Sequence, residues 1–316
     1  MKATQFAHYV IKNQPEKPIA KPLTIATPFY YSFHFLDQYL TTLLQLDYPK
    51  KLITLVFAVQ GEDDTYLALK DFQSLNKHRY REIKVEKRPE LMEAPYFQRL
   101  GALNVCDQRN WLKQQTRDDV LFLGHDNFAP PNTIWRLLEA QSLGGDISGG
   151  VYPFIQSLAL GLTSFFLLRK HGEVKAFHCT AVLKEGGRLW FPQCLYGQRV
   201  WTWTTGMDAT LIKREVLDAV DYTVTLAEDV TDDVEFCYNA HKKGFKVVTD
   251  YGLWIKHWGI DLTFLLDKPW NGWIQLLCKV QPWLIDLRNA LEKLRESQRV
   301  LGSSTIPQPV IPITHR

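Results

Sequence analysis

What this chain lacks narrows it before what it contains. Its five cysteines (Cys106, Cys179, Cys194, Cys237 and Cys278) are scattered, odd in number and never spaced as C-x-x-C. That pattern argues against a disulfide framework or a cysteine zinc site and fits reduced thiols in a cytoplasmic protein. Excess charge is missing too: 37 basic against 34 acidic residues leave +3, which does not indicate nucleic acid as a partner and does not exclude it. The opening MKATQFAHYVIKNQPEKPIAK has no unbroken apolar core of the signal-peptide kind. The most apolar later stretch, Phe154 to Leu168, is interrupted by Gln156, Ser157, Thr163 and Ser164 and is too short to span a bilayer. The expectation is a cytoplasmic protein, soluble or peripheral at a membrane. Glycine signatures are absent as well. The first strand leads into TPFYY, not the G-x-G-x-x-G of a nicotinamide dehydrogenase, and no P-loop occurs. No glycine-rich, arginine-bearing loop of a sugar nucleotidylyltransferase stands near the start.

What is present is a globular composition, 46% apolar and 22% charged over 316 residues, enough for a full core. From Pro22 the chain alternates strand-like runs with helical patterns. LTIATPFYY, KLITLVFAV, REIKVEKR and DVLFL read as strands; HFLDQYLTTLLQL, YLALKDFQSL and ALNVCDQRNWLKQQT read as helices. Such alternation predicts an α/β fold, a mostly parallel central sheet flanked by helices. Ligands of such sheets sit beyond the carboxyl ends of the strands. Thr27 to Tyr30, Gln60 to Asp64 and Gly124 to Asn127 are therefore expected to share one crevice. The basic run KHRYREIKVEKR fits a solvated edge strand better than a binding patch.

One segment asks for a functional explanation. In DDVLFLGHDNFAPPNTIWRLLEA the buried run Val120–Leu123 stops at Gly124, His125, Asp126 and Asn127, polar residues that no core strand needs. Asn132 is placed to cap the helix carrying Ile134, Leu137 and Leu138. Alternation along the chain points His125 away from Asp126. A second acidic concentration, Glu228, Asp229, Asp232 and Asp233, crowds carboxylates that compete for ionisation. Asp232 and Asp233 open a helix marked by Val234, Cys237, Tyr238 and His241 and ended by Gly244, and Asp232 with Glu235 resembles a capping box. The dipole alone would favour acids there, and Asp126 could merely cap a turn.

With these pieces in order, the chain resembles the inverting GT-A-fold glycosyltransferases (family 2-like) that use nucleotide-diphosphate sugars. RNWLKQQTRDDVLFLGHDNFAPPNTIWRLLEA is similar to the group's ARN…GDYVLFLDSDNVPPPDTLERLLEA, and DISGGVYPF to the strand that follows. TTGMDATLIKREVLDAV is similar to its acceptor-side T-G and LIRREV helix start, and DDVEFCYNAHKKGFKVVTDYGLWIKHWG to EDVDFCLRAREAGFKIYVDPSVRVGHIG. The resemblance covers about residues 22–260. It departs at the D-x-D pattern, whose first aspartate falls on Gly124, and after the second strand, where Gln60 and Gly61 replace the common acid pair.

The resemblance implies the following assignments. Asp126 and His257 would bind a divalent cation, Mn²⁺ or Mg²⁺, with an imidazole tilting the preference to Mn²⁺. Thr27, Pro28, Glu62, Asp63, Arg109 and Asn110 would contact the nucleotide-sugar donor. Trp203, Thr205 and Gly206 would meet the acceptor, although Trp201 and Trp203 at alternate positions equally suit a half-buried strand. Asp233, with Asp232 beside it, would be the general base of a hexosyl transfer with inversion. The acceptor hydroxyl could belong to a glycan, a lipid-linked sugar or another molecule. Expected boundaries are an arm 1–21, a transferase domain 22–262 (donor half 22–150, acceptor half 151–262), a helical extension 263–302 and a flexible tail 303–316. The tryptophan-rich extension (Trp270, Trp273, Trp283) could pack back on the core, touch a membrane surface or serve self-association. Two rival readings stand beside this one: a non-catalytic sugar- or nucleotide-binding module, motivated by Gly124, and a nucleotidyltransferase on a related sheet.

Overall fold

The computed structural model describes residues 10–91, 99–152, 199–225 and 231–257, with the backbone of four short strands between 168 and 190. The chain divides into a unit Met1–Thr263 and a unit Phe264–Arg316. The second, with the expected extension and tail, lies outside the described residues, as do Glu228 and Asp229.

The alternating runs become β1 (Leu23–Tyr30), α1 (Leu36–Gln45), β2 (Ile53–Gln60), α2 (Thr65–Asn76), β3 (Glu82–Lys87), α3 (Arg99–Gln114) and β4 (Asp119–Leu123). There follow β5 (Asn127–Phe128), α4 (Thr133–Ser142) and β6 (Ile147–Val151), then the short β7 (Leu168–Lys170), β8 (Glu173–Lys175), β9 (His178–Val182) and β10 (Arg188–Trp190). The described chain closes with β11 (Arg199–Thr202), β12 (Ala209–Ile212), α5 (Arg214–Ala219), α6 (Asp232–Lys242), β13 (Val247–Trp254) and β14 (Lys256–His257).

Eight strands form the main sheet in the order β11-β13-β6-β12-β4-β1-β2-β3. The run from β4 through β1 and β2 to β3 is parallel. β12 is reversed between β4 and β6, and β11 is reversed beside β13. The expected mostly parallel sheet is therefore present, with basic β3 at its edge, and one reversed strand sits at its centre.

Strand alternation splits the core into two layers, because successive side chains leave opposite faces. Leu23, Ile25 and Phe29 of β1 and Leu55, Phe57 and Val59 of β2 pack under α1, α2 and α4. Ala26, Val56, Ala58, Val120 and Phe122 pack on the other face, under α3, α5 and α6. Each large side chain removed from water there contributes about 1.5–3 kcal/mol.

Polar anchors add register to this apolar sandwich. Asp250 on β13 is fully buried and pairs with Arg136 of α4 at 2.7 Å and Arg199 of β11 at 3.3 Å. Lys113 of α3 caps α5, donating to Leu217 O at 2.8 Å and Val220 O at 2.7 Å.

Two local expectations fail. Asn132 occupies the N-cap of α4 without a side-chain cap bond, and Thr133 instead donates to Pro130 O at 2.7 Å. No capping box forms on α6 either. Its N-cap is Thr231, and the Glu235 carboxylate accepts from Thr225 N at 2.6 Å and from the Thr223 and Thr225 hydroxyls. The buried face of α6 is Phe236, Cys237 and Ala240 with Asp232 and Glu235, while Val234, Tyr238 and His241 stay partly exposed.

Candidate active site

Strand register assembles the site. Ala209, the first residue of β12, pairs with Leu123, the last of β4. The residues just beyond, Asp208 and Gly124, are therefore neighbours, and Gly124 N donates to Asp208 O at 3.0 Å. A β-carbon on Gly124 would lie 2.6 Å from Asn127 Nδ2 and 2.8 and 2.9 Å from Cβ and Cγ of Asp208. The chain turns after Gly124, with Asn127 N bonded to Gly124 O at 3.0 Å. Asp126 lies in that turn and accepts from Asn127 Nδ2 at 2.9 Å. His125 is directed elsewhere: its Nδ1 lies 2.8 Å from Pro28 O, and its ring stacks on Phe35. The backbone of His257 in β14 pairs opposite Asn127 of β5, which brings position 257 beside the turn that carries Asp126.

A single guanidinium ties this turn to α6. Arg109 of α3 has a side chain only 5% exposed; it bonds Asp208 Oδ1 at 3.0 Å through Nη2 and Asp232 Oδ2 through Nη1. Asp232 is 1% exposed. Arg109, expected to contact the donor, pairs here with two internal carboxylates.

Asp233, the next residue, is partly exposed and accepts from Val234 N at 2.9 Å and from the Thr231 hydroxyl. Burial and the Asp232 charge push its carboxyl up to about 6, against the pull of Thr231, Arg109 and Val234. Such a carboxyl ionises near neutrality yet still takes a proton readily, the profile of a general base.

The other expected residues divide. Thr27 is buried and its hydroxyl bonds Tyr39, so it faces the core; Pro28 is a buried strand residue of β1. Asp63 bonds Phe33 N at 3.0 Å and Thr65 N at 3.3 Å, holding the loop after β1 to the start of α2. Glu62 stands exposed at the rim, paired with Lys87 at 2.9 Å. Asn110, also expected at the donor, clasps the backbone of Tyr222: its Nδ2 donates to Tyr222 O and its Oδ1 accepts from Tyr222 N, each at 2.9 Å. Trp203 is half-buried, stacks on His241 at 4.1 Å between centroids and meets Tyr238 edge-on at 6.5 Å. Thr205 is wholly buried: its Oγ1 lies 2.0 Å from where a β-carbon of Gly149 would stand, so it packs on β6. Gly206 is buried too, its carbonyl accepting from Thr210.

Two residues escaped the sequence reading. Asp208 sits in the quoted TTGMDATLI, but only the reversed register of β12 reveals its neighbour. Tyr31, 46% exposed at the end of β1, holds φ at 46°, and its ring lies 3.0 Å from where a β-carbon on Gly61 would stand. A non-glycine residue in that region is strained and tends to mark a site.

A divalent cation fits the donors in part. No group of three His, Cys, Asp or Glu side chains gathers as a ligand set among the described residues. The carboxylates of Asp126 and Asp208 and the Asn127 amide are nonetheless hard oxygen donors at one strand end, suited to Mn²⁺ or Mg²⁺ with ligand oxygens and water completing the shell. No helix among the described residues is long and apolar enough to cross a membrane.

The chain matches no family model and none of the curated proteins. It is similar in structure to the mannosyltransferase PcManGT from Pyrobaculum calidifontis, solved with GDP-Man and Mn²⁺: TM-score 0.54, 12% identity, 82% of this chain and 64% of that one. TarS of S. aureus gives a TM-score of 0.48 at 13% identity, over 75% of this chain and 60% of that one. GalNAc-T7, solved with UDP, GalNAc and Mn²⁺, gives 0.49 at 12% identity, over 78% of this chain and 44% of that one. The chain thus spans less than two thirds of the length of each. The fold is that of the GT-A glycosyltransferases, and the mannosyltransferase match carries that statement.

Proposed function

We propose that this chain transfers a sugar from a nucleotide-diphosphate donor to an acceptor hydroxyl, with inversion at the anomeric carbon. One observation carries the reading: Arg109 joins the Asp208–Gly124 strand end to Asp232, and so fixes the Asp126 turn and the Asp233 helix start in one frame. A donor-binding turn and a proton acceptor held in fixed relation are what a single displacement requires.

Asp233 accepts the proton of the acceptor hydroxyl as its oxygen bonds the anomeric carbon. The bond from that carbon to the diphosphate breaks on the opposite face, and its electron pair leaves with the diphosphate. One base and one displacement invert the linkage. Asp232, paired with Arg109, positions the helix start, and its charge raises the affinity of Asp233 for a proton. Tyr31 offers an exposed ring for the donor base, and the half-buried indole of Trp203 is the aromatic surface for an acceptor sugar. A cation held at Asp126 and His257 would offset the charge developing on the leaving diphosphate.

The test is a screen of UDP-, GDP-, CDP- and ADP-sugars with Mn²⁺, reading nucleoside diphosphate release and the product anomer by NMR. Asp233→Asn should lower turnover roughly 10²–10⁴-fold while donor affinity persists. Pyrophosphate as product would favour a nucleotidyltransferase, retained configuration would remove the single displacement, and donor binding without turnover would favour a binding module.

A further inference from the structure

Backbone conformation does not explain Gly124. Gly61, Gly144 and Gly244 lie in the left-handed region, and Gly124 does not. Crowding excludes a side chain there: the nearest crowding atom is the Asn127 amide nitrogen, at 2.6 Å, and the next two belong to another acid, Asp208. The Cγ of Asp208 lies 2.9 Å from the point where a β-carbon of residue 124 would stand. A carboxylate on residue 124 and the one present on Asp208 would compete for a single space. Register makes this delivery fixed, since β12 runs antiparallel to β4 and pairs Ala209 with Leu123.

The same space holds an independent sign of a ligand. Asn127 is wholly buried, and its amide nitrogen binds Asp126 at 2.9 Å. Its amide oxygen has no hydrogen-bond partner among the described residues. A buried carbonyl oxygen left without a partner on the residue next to Asp126 adds a hard-oxygen donor to the two carboxylates. Asp208 keeps 29% of its side chain exposed while Arg109 holds one of its oxygens at 3.0 Å.

We propose that Asp208 supplies, from β12, the cation-site carboxylate that the D-x-D pattern would place on residue 124, so that the acid pair is built from two strands, Asp126 and Asp208. This rests on the glycosyltransferase reading above and sharpens it. Arg109 is then a positioning residue for this carboxylate as well as for α6.

Mn²⁺ binding by the full chain tests it without turnover. MnCl₂ is titrated with and without UDP, following loss of the paramagnetic signal of unbound Mn²⁺, while melting in EDTA monitors folding. Asp208→Asn should weaken Mn²⁺ binding about ten- to a hundredfold. Gly124→Asp alone should melt early, because the new side chain collides with Asp208 while the Asn127 amide must also give way. The double variant Gly124→Asp with Asp208→Gly should regain binding to within about tenfold of the unaltered chain. A merely structural role for Asp208 would give no such rescue, so a double variant as weak as Asp208→Asn overturns the inference. Unchanged binding in Asp208→Asn beside lost binding in Asp126→Asn overturns it too, and leaves the function reading standing. No Mn²⁺ binding by the unaltered chain removes the inference and the metal part of that reading together.

Discussion

Replacing Arg109 with methionine tests the frame on which the site depends. Met keeps much of the stem packing and removes the charge, leaving the buried Asp232 carboxylate, 1% exposed, without its guanidinium. Breaking a buried pair from one side costs roughly 3–5 kcal/mol; the Asp208 contact, partly exposed, adds less. A chemical denaturation midpoint at neutral pH should fall accordingly. The pH profile gives a sharper readout. Asp233 sits at about 6 against an ordinary 3.8, with Arg109 among the groups pulling it down. Removing Arg109 should move the acidic limb of kcat/KM to higher pH, because Asp233 then faces Asp232 uncompensated. The sign for stability follows from the same shift. The fold favours protonated Asp233, so its contribution is greatest below pH 3.8 and is lost as pH rises through about 6. In Arg109→Met that loss should extend to higher pH. An unmoved limb, or a stability loss under about 1 kcal/mol, would refute the coupling between α3 and α6.

In the unaltered protein, turnover should rise with pH and level off above about 6, where Asp233 is ionised; a flat profile between pH 5 and 8 would exclude it as the base. Asp250→Ala strands Arg136 against β13 and should cost about 3 kcal/mol in a urea melt, and an effect near zero would show the pair to be replaceable. Gly124→Ala forces a β-carbon to within 2.9 Å of Asp208 and Asn127. It should lower stability by about 1–3 kcal/mol, measurable as a shift in Tm, and a neutral result would contradict the crowding.

The sequence by itself determined the elements and the strand end that matters. Apolar runs such as LTIAT and ITLVFAV, and the helical spacing of Phe35, Tyr39, Leu43 and Leu46, are local patterns, so β1, β2 and α1 were legible without partners. The polar break after Leu123 was legible for the same reason: no buried strand needs it. Tertiary structure alone decided who stands beside whom. Asp208 reaches Gly124 only because β12 inserts reversed between β4 and β6. Arg109 reads in sequence as a donor contact, and it is buried against two carboxylates because α3 and α6 share one face of the sheet. Glu235 fits a capping box by spacing, yet the chain at Thr223–Thr225 folds back and takes its carboxylate instead. Local periodicity reports which face of an element is apolar. Strand order and direction, which bring distant charges together, are set by long-range pairing that no short window of residues encodes.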